Sequence, residues 1–195
     1  RHRSRIRTAG GEGAGGVDPA LWAELAAAGL FSLAVPESRG GAGLGWAHVV
    51  LACEQLGRRF VPGPFAATIT AAVVCGDDRA AAGERVVTYA ERGTSVTVIP
   101  HLRGSSVVWF VGDDRVDQLG ASEIEAVDVA EPYDPLTPVA WTTNAAGADR
   151  VAADAAAERV AADTAAVRVA ADAAAVRCAL HLLEAAQLLG LASGA

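Results

Sequence analysis

The sequence predicts an α+β fold, with an N-terminal helical domain, a small antiparallel β-domain and a further helix near the C-terminal end. Apolar residues recur at helical spacing as far as residue 74. After Arg85 the pattern changes to short β-branched runs separated by glycine, proline and aspartate, which is typical of strands joined by turns. Alanine and leucine dominate again near the end, and both favour helix.

Three helices are predicted in the first part of the chain. The first begins at Asp18–Pro19, because aspartate is a good N-cap and proline suits the first helical turn, and it ends at Gly29. The second runs from about Trp46 to Arg59 and has one apolar face. The third covers Phe65 to Val74 and follows a proline-rich break.

Four strands and one extended segment are predicted to follow the helices. The strands cover Arg85 to Ala90, Ser95 to Ile99, Ser106 to Val111 and Ile124 to Val129, and the extended segment ends near Trp141.

A repeated text begins near Ala148. The letters RVAAD start at Arg150, Arg159 and Arg168, and Arg177 keeps the same interval. A step of nine residues turns a helix by about 900°, so successive arginines would point to opposite sides. We therefore predict a duplicated alanine-rich helix or connector, and a long helix within the last forty or so residues.

Composition excludes several classes of protein. The net charge of −7 disfavours nucleic-acid binding, which needs an excess of cations. The basic stretch Arg1–Arg7 is the exception, and it is interpreted as a frayed terminus, a transit peptide or a nucleic-acid arm. Three widely spaced cysteines indicate neither a metal site nor a disulfide framework and fit a reducing cytoplasm. No apolar run is long enough to span a bilayer, so no membrane is expected.

Residues that could carry chemistry are scattered along the chain. The acidic pairs Asp77–Asp78 and Asp113–Asp114 lie beside glycine and are expected to be solvated turn residues. His48, His101 and His181 are far apart and have no metal-ligand spacing, so no metal site is predicted. No nucleophile or phosphate-loop motif occurs in a usable context.

One stretch carries a family resemblance. From Leu21 to Pro64 a helix ends in Gly-Leu, a glycine-rich loop follows, and a second helix leads to a proline-rich exit. The matching residues are Val35-Pro36-Glu37, Gly40-Gly41, Gly43 and Glu54-Gln55-Leu56-Gly57-Arg58. This resembles the N-terminal helical domain of acyl-CoA dehydrogenases. In that family the glycine loop borders the acyl-chain pocket, although the same glycines also suit a turn with only a packing role.

The resemblance implies a domain organisation. The strands look like a shortened middle β-domain, and Arg177 to Ala192 is similar to the opening helix of the C-terminal four-helix bundle. The implied segments are a flexible basic and glycine-rich tail at 1–17, the N-terminal helical domain at 18–83, the middle domain at 84–142, and at 143–195 an alanine-rich connector with the first helix of the C-terminal domain.

The resemblance also implies FAD as the cofactor. The middle domain of the family supplies much of the flavin cradle around a Thr-Glu-Pro signature, and the nearest text here is Thr88 to Gly93. The cofactor-binding positions expected from it are Tyr89, Ala90 and Glu91, with Ala90 where the family's hydroxyl meets the flavin. Because that hydroxyl is missing, we expect this chain alone to bind FAD weakly or not at all. No catalytic residue is assigned, since the base is expected beyond Ala195.

The implied function is FAD-dependent α,β-dehydrogenation of an acyl-CoA thioester by a cytoplasmic flavoprotein of fatty acid metabolism, present here as an incomplete and inactive chain. The alternative is a non-catalytic partner subunit of a heteromeric acyl-CoA dehydrogenase, and a third possibility is an unrelated alanine-rich interaction module. An acyl-CoA substrate and a homo- or hetero-oligomer are the expected partners. The last helix is apolar nearly all round, so Leu182, Leu188 and Leu189 are predicted contacts.

Overall fold

The computed structural model describes residues 17–92, 95–132, 134, 136–143, 167–168 and 172–194, and the fold is that of these residues. The helices are α1 (Pro19–Ala27), α2 (Trp46–Arg58), α3 (Phe65–Val73), α4 (Asp78–Ala81) and α5 (Ala173–Gly194). The strands are β1 (Val87–Glu91), β2 (Thr97–Pro100), β3 (Val107–Val111), β4 (Val116–Gly120), β5 (Val127–Asp128), β6 (Val139–Thr142) and β7 (Val167–Arg168). The predicted α+β fold class is confirmed.

The N-terminal helices begin where the sequence places them. The carboxylate of Asp18 accepts hydrogen bonds from the backbone N–H groups of Ala20 and Leu21 at 3.0 and 3.4 Å, and Pro19 is the first helical residue. The cap satisfies donors that otherwise have no partner at a helix start. The second and third predicted helices are found as α2 and α3.

The strands form two small sheets. One has the order β1-β3-β4-β7 and the other β2-β6-β5. All the pairs are antiparallel except β1 and β3, which run parallel, with Val87 opposite Val107. The connection from β1 to β3 contains β2, which belongs to the other sheet. This excursion lets β3 run in the same direction as β1.

Some elements differ from the sequence prediction. Strand β4 and the short helix α4 were not predicted, and the strand expected from Ile124 to Val129 is reduced to β5. The long C-terminal helix begins only at Ala173, because Val167 and Arg168 pair with Gln118 and Asp117 of β4 as strand β7. Sheet pairing therefore overrides helix propensity at Val167 and Arg168, where the third RVAAD repeat begins. The repeats at Arg150 and Arg159 lie outside the described residues.

Helix α5 packs tightly on α2 through glycine. A Cβ atom placed on Gly57 would lie 2.1 Å from the carbonyl oxygen of Gln187, and one on Gly190 would lie 2.0 Å from that of Glu54. A Cβ on Gly194 would lie 2.5 Å from the oxygen of Arg58. The two backbones are thus in direct contact, and Leu180 and Leu183 of α5 are buried in the core beside them. The last helix is therefore part of the N-terminal helical layer.

Helix α5 also corrects one expectation about membranes. By length and apolar composition α5 could cross a membrane, and among the described residues it is the one helix that could. The sequence had indicated no such segment. The earlier prediction considered only unbroken apolar runs, and Arg177, His181 and Glu184 interrupt this one. One face of α5 is buried against the other helices, as in a core helix.

Candidate functional site

A cleft of about 350 Å³ lies between the helical layer and the first sheet. It is bounded by the end of α2, the proline-rich segment after it, the start of α3, β1 and one face of α5. Its apolar wall consists of Phe60, Val61, Pro62, Pro64, Phe65, Leu136, Leu188 and Leu191. A concave and mostly apolar site with a few polar groups is typical of small-molecule binding.

Backbone strain is concentrated at this cleft. Phe60 and His101 have φ angles of 54° and 52°, and within the described residues they are the non-glycine residues with positive φ. Both line the cleft. The N–H groups of Phe60 and Val61 donate to the carbonyls of Gly57 and Leu56, which is the hydrogen-bond pattern that ends a helix with a left-handed residue. That position favours glycine, so a phenylalanine there indicates a role for the side chain.

Strand β1 contributes Thr88 and Tyr89 to the cleft. The Thr88 hydroxyl donates to the carbonyl of Pro100 at 2.6 Å, which ties β1 to β2. Burial, together with a hydrogen bond to the Glu184 carboxylate, raises the pKa of the Tyr89 phenol. The phenol therefore stays protonated near neutral pH.

His101 is a neutral residue of the cleft wall. Burial lowers the pKa of its imidazole to about 4, and the nearby Asp134 opposes this effect. The ring is therefore uncharged at neutral pH.

The depressed pKa of His101 predicts a loss of stability in acid. The unfolded chain takes up a proton on this ring below pH 6.5, whereas the folded chain does so only below about pH 4. The free energy of unfolding should therefore fall between these values, by up to about 3 kcal/mol, and this contribution should be constant above pH 6.5. Urea unfolding at pH 7.5, 5.5 and 4.5 measures it.

The control for this prediction is His101→Asn. Asparagine tolerates the left-handed backbone and does not titrate in this range. The difference in unfolding free energy between the two proteins should change with pH over that window, in favour of the variant in acid. A constant difference would show that His101 does not cause the acid sensitivity.

The structure separates the three positions expected to bind cofactor. Tyr89 lies in the cleft wall. Ala90 points the other way, is 2% exposed and packs in a cluster with Ile99 and Phe110. Glu91 is exposed, and its Oε1 lies 3.3 Å from Nε2 of His181 in a separate charged depression. Side chains alternate across a strand, so Ala90 cannot face the same side as its two neighbours.

The glycine-rich loop is a closed turn beside the helices. A Cβ on Gly41 would lie 2.1 Å from the carbonyl oxygen of Val35, and the N–H of Gly43 donates to that oxygen at 2.9 Å. Arg39 anchors the loop through a 2.6 Å ion pair with Asp78. No residue of the loop is among the described residues that line the cleft. Close packing therefore accounts for Gly41, and the positive φ angles of 79° and 64° account for Gly40 and Gly43.

Sequence reasoning missed Phe60 and Glu184. The proline-rich exit after α2 signals a bend near Phe60, but not its left-handed backbone. No local signal marks Glu184, which reaches the cleft only because α5 packs across the start of α3 and β1. No group of three or more potential metal ligands occurs within the described part of the chain.

Part of the sequence is similar to a known protein family. Residues 6–83 match the family model "Acyl-CoA dehydrogenase, N-terminal domain". A curated relative, acyl-CoA dehydrogenase FadE34 of Mycobacterium tuberculosis (strain ATCC 25618 / H37Rv), is 30% identical over 135 residues, which is 57% of this chain and 19% of the relative. The chain therefore spans about a fifth of that protein.

Two solved structures have a similar fold. The Tcur3481-Tcur3483 steroid ACAD G363A variant superposes with a TM-score of 0.64 at 22% identity, covering 100% of this chain and 59% of the other. A glutaryl-CoA dehydrogenase from Mycobacterium smegmatis in complex with FADH2 gives a TM-score of 0.54 at 13% identity, covering 95% and 55%. At these identities the similarity concerns the fold alone.

Proposed function

We propose that the chain belongs to the acyl-CoA dehydrogenase family, whose N-terminal domain model matches residues 6–83, and that it serves the FAD-dependent α,β-dehydrogenation of an acyl-CoA thioester. Its own contribution is the wall that holds the acyl group. The observation that carries this proposal is the apolar cleft at the junction of α2, α3, β1 and α5. Phe60 and Phe65 on one side and Leu188 and Leu191 on the other offer an apolar chain a place out of water.

The residues of the cleft do not fit FAD itself. A diphosphate needs cations or free N–H and O–H donors. Of the described residues that line the cleft, none is arginine, whereas Asp134 and Glu184 are acidic. The Thr88 hydroxyl already donates to the carbonyl of Pro100. We therefore place the flavin-binding groups and the catalytic base outside these residues, and we expect FAD to leave the melting temperature of this chain unchanged.

The charged depression near β1 does not replace that site. Two of its arginines, Arg92 and Arg115, are bonded to the buried carboxylate of Asp117. The third, Arg177, donates to the carbonyl of Gly112 at 2.5 Å. These cations hold β1, β3, β4 and α5 together and are engaged by protein groups.

Binding of octanoyl-CoA, compared with CoA, tests the acyl-binding function. We expect calorimetry to give tighter binding for the thioester, because only its alkyl chain can enter the cleft. Leu188→Glu should weaken that binding by about tenfold or more, since it places a charge in the apolar wall.

The matched control is Leu51→Glu on α2. Leu51 and Leu188 are 57% and 63% exposed, and only Leu188 lines the cleft. The control should bind octanoyl-CoA as the unchanged chain does. Equal affinities for octanoyl-CoA and CoA, or equal losses in the two variants, would refute an acyl-binding role. If FAD-dependent turnover appears only when a second, different chain is added, that result would instead favour a non-catalytic partner subunit.

We also propose that the protein is a cytoplasmic oligomer in which α5 forms a contact. Its outward face carries an uncharged stripe made of Cys178, Leu182, Ala185, Leu189 and Ala192, all of them exposed. An apolar stripe of this length in water favours association with a second copy of the chain.

Sedimentation measures this association. The unchanged chain should sediment above the monomer mass and should do so increasingly at higher concentration. Leu182→Glu and Leu189→Glu should shift it to the monomer while the fold remains intact, because each puts a charge into the contact. Leu51→Glu, on a different helix, should have no effect. A folded monomer at high concentration before any substitution would disprove the contact.

A further inference from the structure

Two carboxylates line the cleft, and they differ in how they are satisfied. Asp134 accepts hydrogen bonds from the N–H of Leu136 at 2.9 Å and from the hydroxyl of Thr137 at 2.7 Å, so its role is to shape its own turn. Glu184 is half-buried on α5 and faces β1. The phenol of Tyr89 lines the same cleft.

Glu184 has more acceptor positions than the Tyr89 phenol could fill. A phenol has one hydrogen to donate, whereas a carboxylate has about four acceptor positions. No arginine lines the cleft among the residues described, so Glu184 has no cation opposite it there. The remaining acceptor positions are therefore available to whatever enters the cleft.

This arrangement makes the cleft selective. A ligand that covers Glu184 with hydrocarbon leaves a charged acceptor without its hydrogen bonds, and such a loss is costly. A ligand that brings an O–H or N–H group restores a charge-assisted hydrogen bond. A site built around such an acceptor discriminates strongly against analogues that lack the donor.

We propose that Glu184 is a specificity-determining residue and that the cleft selects apolar ligands which carry a hydrogen-bond donor, such as a hydroxyl group. The inference rests on the proposed function where it concerns the substrate: the acyl group that binds in this cleft would be a hydroxylated one. A ligand ending in a carboxylate would be repelled by Glu184.

The test uses two isomers, 1-octanol and 1-methoxyheptane. They have the same atoms and similar length, but only the alcohol can donate a hydrogen bond. We expect titrations followed by ligand-observed NMR to show octanol binding about tenfold more tightly to the unchanged chain. The ratio should fall to within about twofold in Glu184→Leu and to an intermediate value in Glu184→Gln, whose amide oxygen is a neutral acceptor.

The matched control is Glu24→Leu, which removes an exposed carboxylate of α1 that does not line the cleft and should keep the preference for octanol. A ratio within about twofold in the unchanged chain, or a preference that survives Glu184→Leu, would overturn the proposal. The unchanged chain alone can give the first result, so the test does not depend on the variants folding.

Failure of this inference is distinguishable from failure of the proposed function. The two isomers contain no CoA, so discrimination between them together with no binding of octanoyl-CoA would support the donor requirement and count against the acyl-CoA role. Tight binding of octanoyl-CoA without discrimination between the isomers would support the acyl-CoA role and count against the donor requirement.

Discussion

Replacing Gly190 by alanine is expected to lower the free energy of unfolding by about 3 kcal/mol, because it forces α5 away from α2. The new Cβ would lie 2.0 Å from the carbonyl oxygen of Glu54 and 2.9 Å from the backbone nitrogen of Arg58. Neither backbone atom can rotate aside. The better helix propensity of alanine, worth up to about 1 kcal/mol, does not offset this clash. Urea unfolding of the purified variant gives the value.

Two further variants sharpen that test. Gly57→Ala meets the carbonyl oxygen of Gln187 at 2.1 Å from the other side of the same contact, so it should cost a similar amount. The double variant should then lose less than the two single losses together. Gly45→Ala is the control, since nothing lies within 4 Å of its Cβ; as the N-cap residue of α2 it should cost about 1 kcal/mol or less. Equal stability of Gly190→Ala and Gly45→Ala would contradict the backbone contact.

Thr68→Val is expected to destabilise the fold by about 3 kcal/mol, whereas Thr70→Val on the same helix should be neutral or stabilising. The Thr68 hydroxyl donates to the carbonyl of Val87 at 3.2 Å and accepts from its N–H at 3.0 Å. Removing it leaves a buried donor and a buried acceptor at the start of β1 without partners.

Thr70 provides the comparison because it is equally buried and its hydroxyl has no hydrogen-bond partner. A methyl group there removes the cost of burying a polar atom. Threonine and valine have similar helix propensities, so the difference between the two variants reports the bonds to Val87. Overlapping urea unfolding curves for the two variants would rule out Thr68 as the link between α3 and β1.

Local signals explain which elements the sequence could predict. The Asp18 cap, the one-sided apolar pattern of α2 and the β-branched run of β1 are each contained within a few residues. Strand β4 contains Asp117, a residue type that is depleted in strands. It forms because it pairs with β3 on one side and β7 on the other, and because Arg92 and Arg115 bond Asp117. None of these partners is visible from the segment itself.

The same distinction applies to the cleft. The family resemblance pointed to the strand that carries Tyr89, which lies in the wall. Glu184 comes from a helix far along the chain, and its meeting with Tyr89 depends on the glycine contact between α2 and α5. A sequence pattern reports which residues share a helix face, but it does not report which strand that face will meet. Function therefore has to be argued from the assembled site.

The glycine contact between α2 and α5 has a consequence for the order of folding in time. Gly57 is synthesised early, whereas Gly190 and Gly194, which complete the contact, come near the end of the described chain. At translation rates of about 5–20 residues per second, α2 waits roughly 7 to 27 seconds for its partner helix. Throughout that interval the face of α2 that contacts α5 is uncovered. Because that face contains glycine, no side chain of its own shields the backbone there. The helical layer therefore closes last, after both sheets have been made, and a ribosome-bound chain halted before α5 should be cleaved readily by protease within α2.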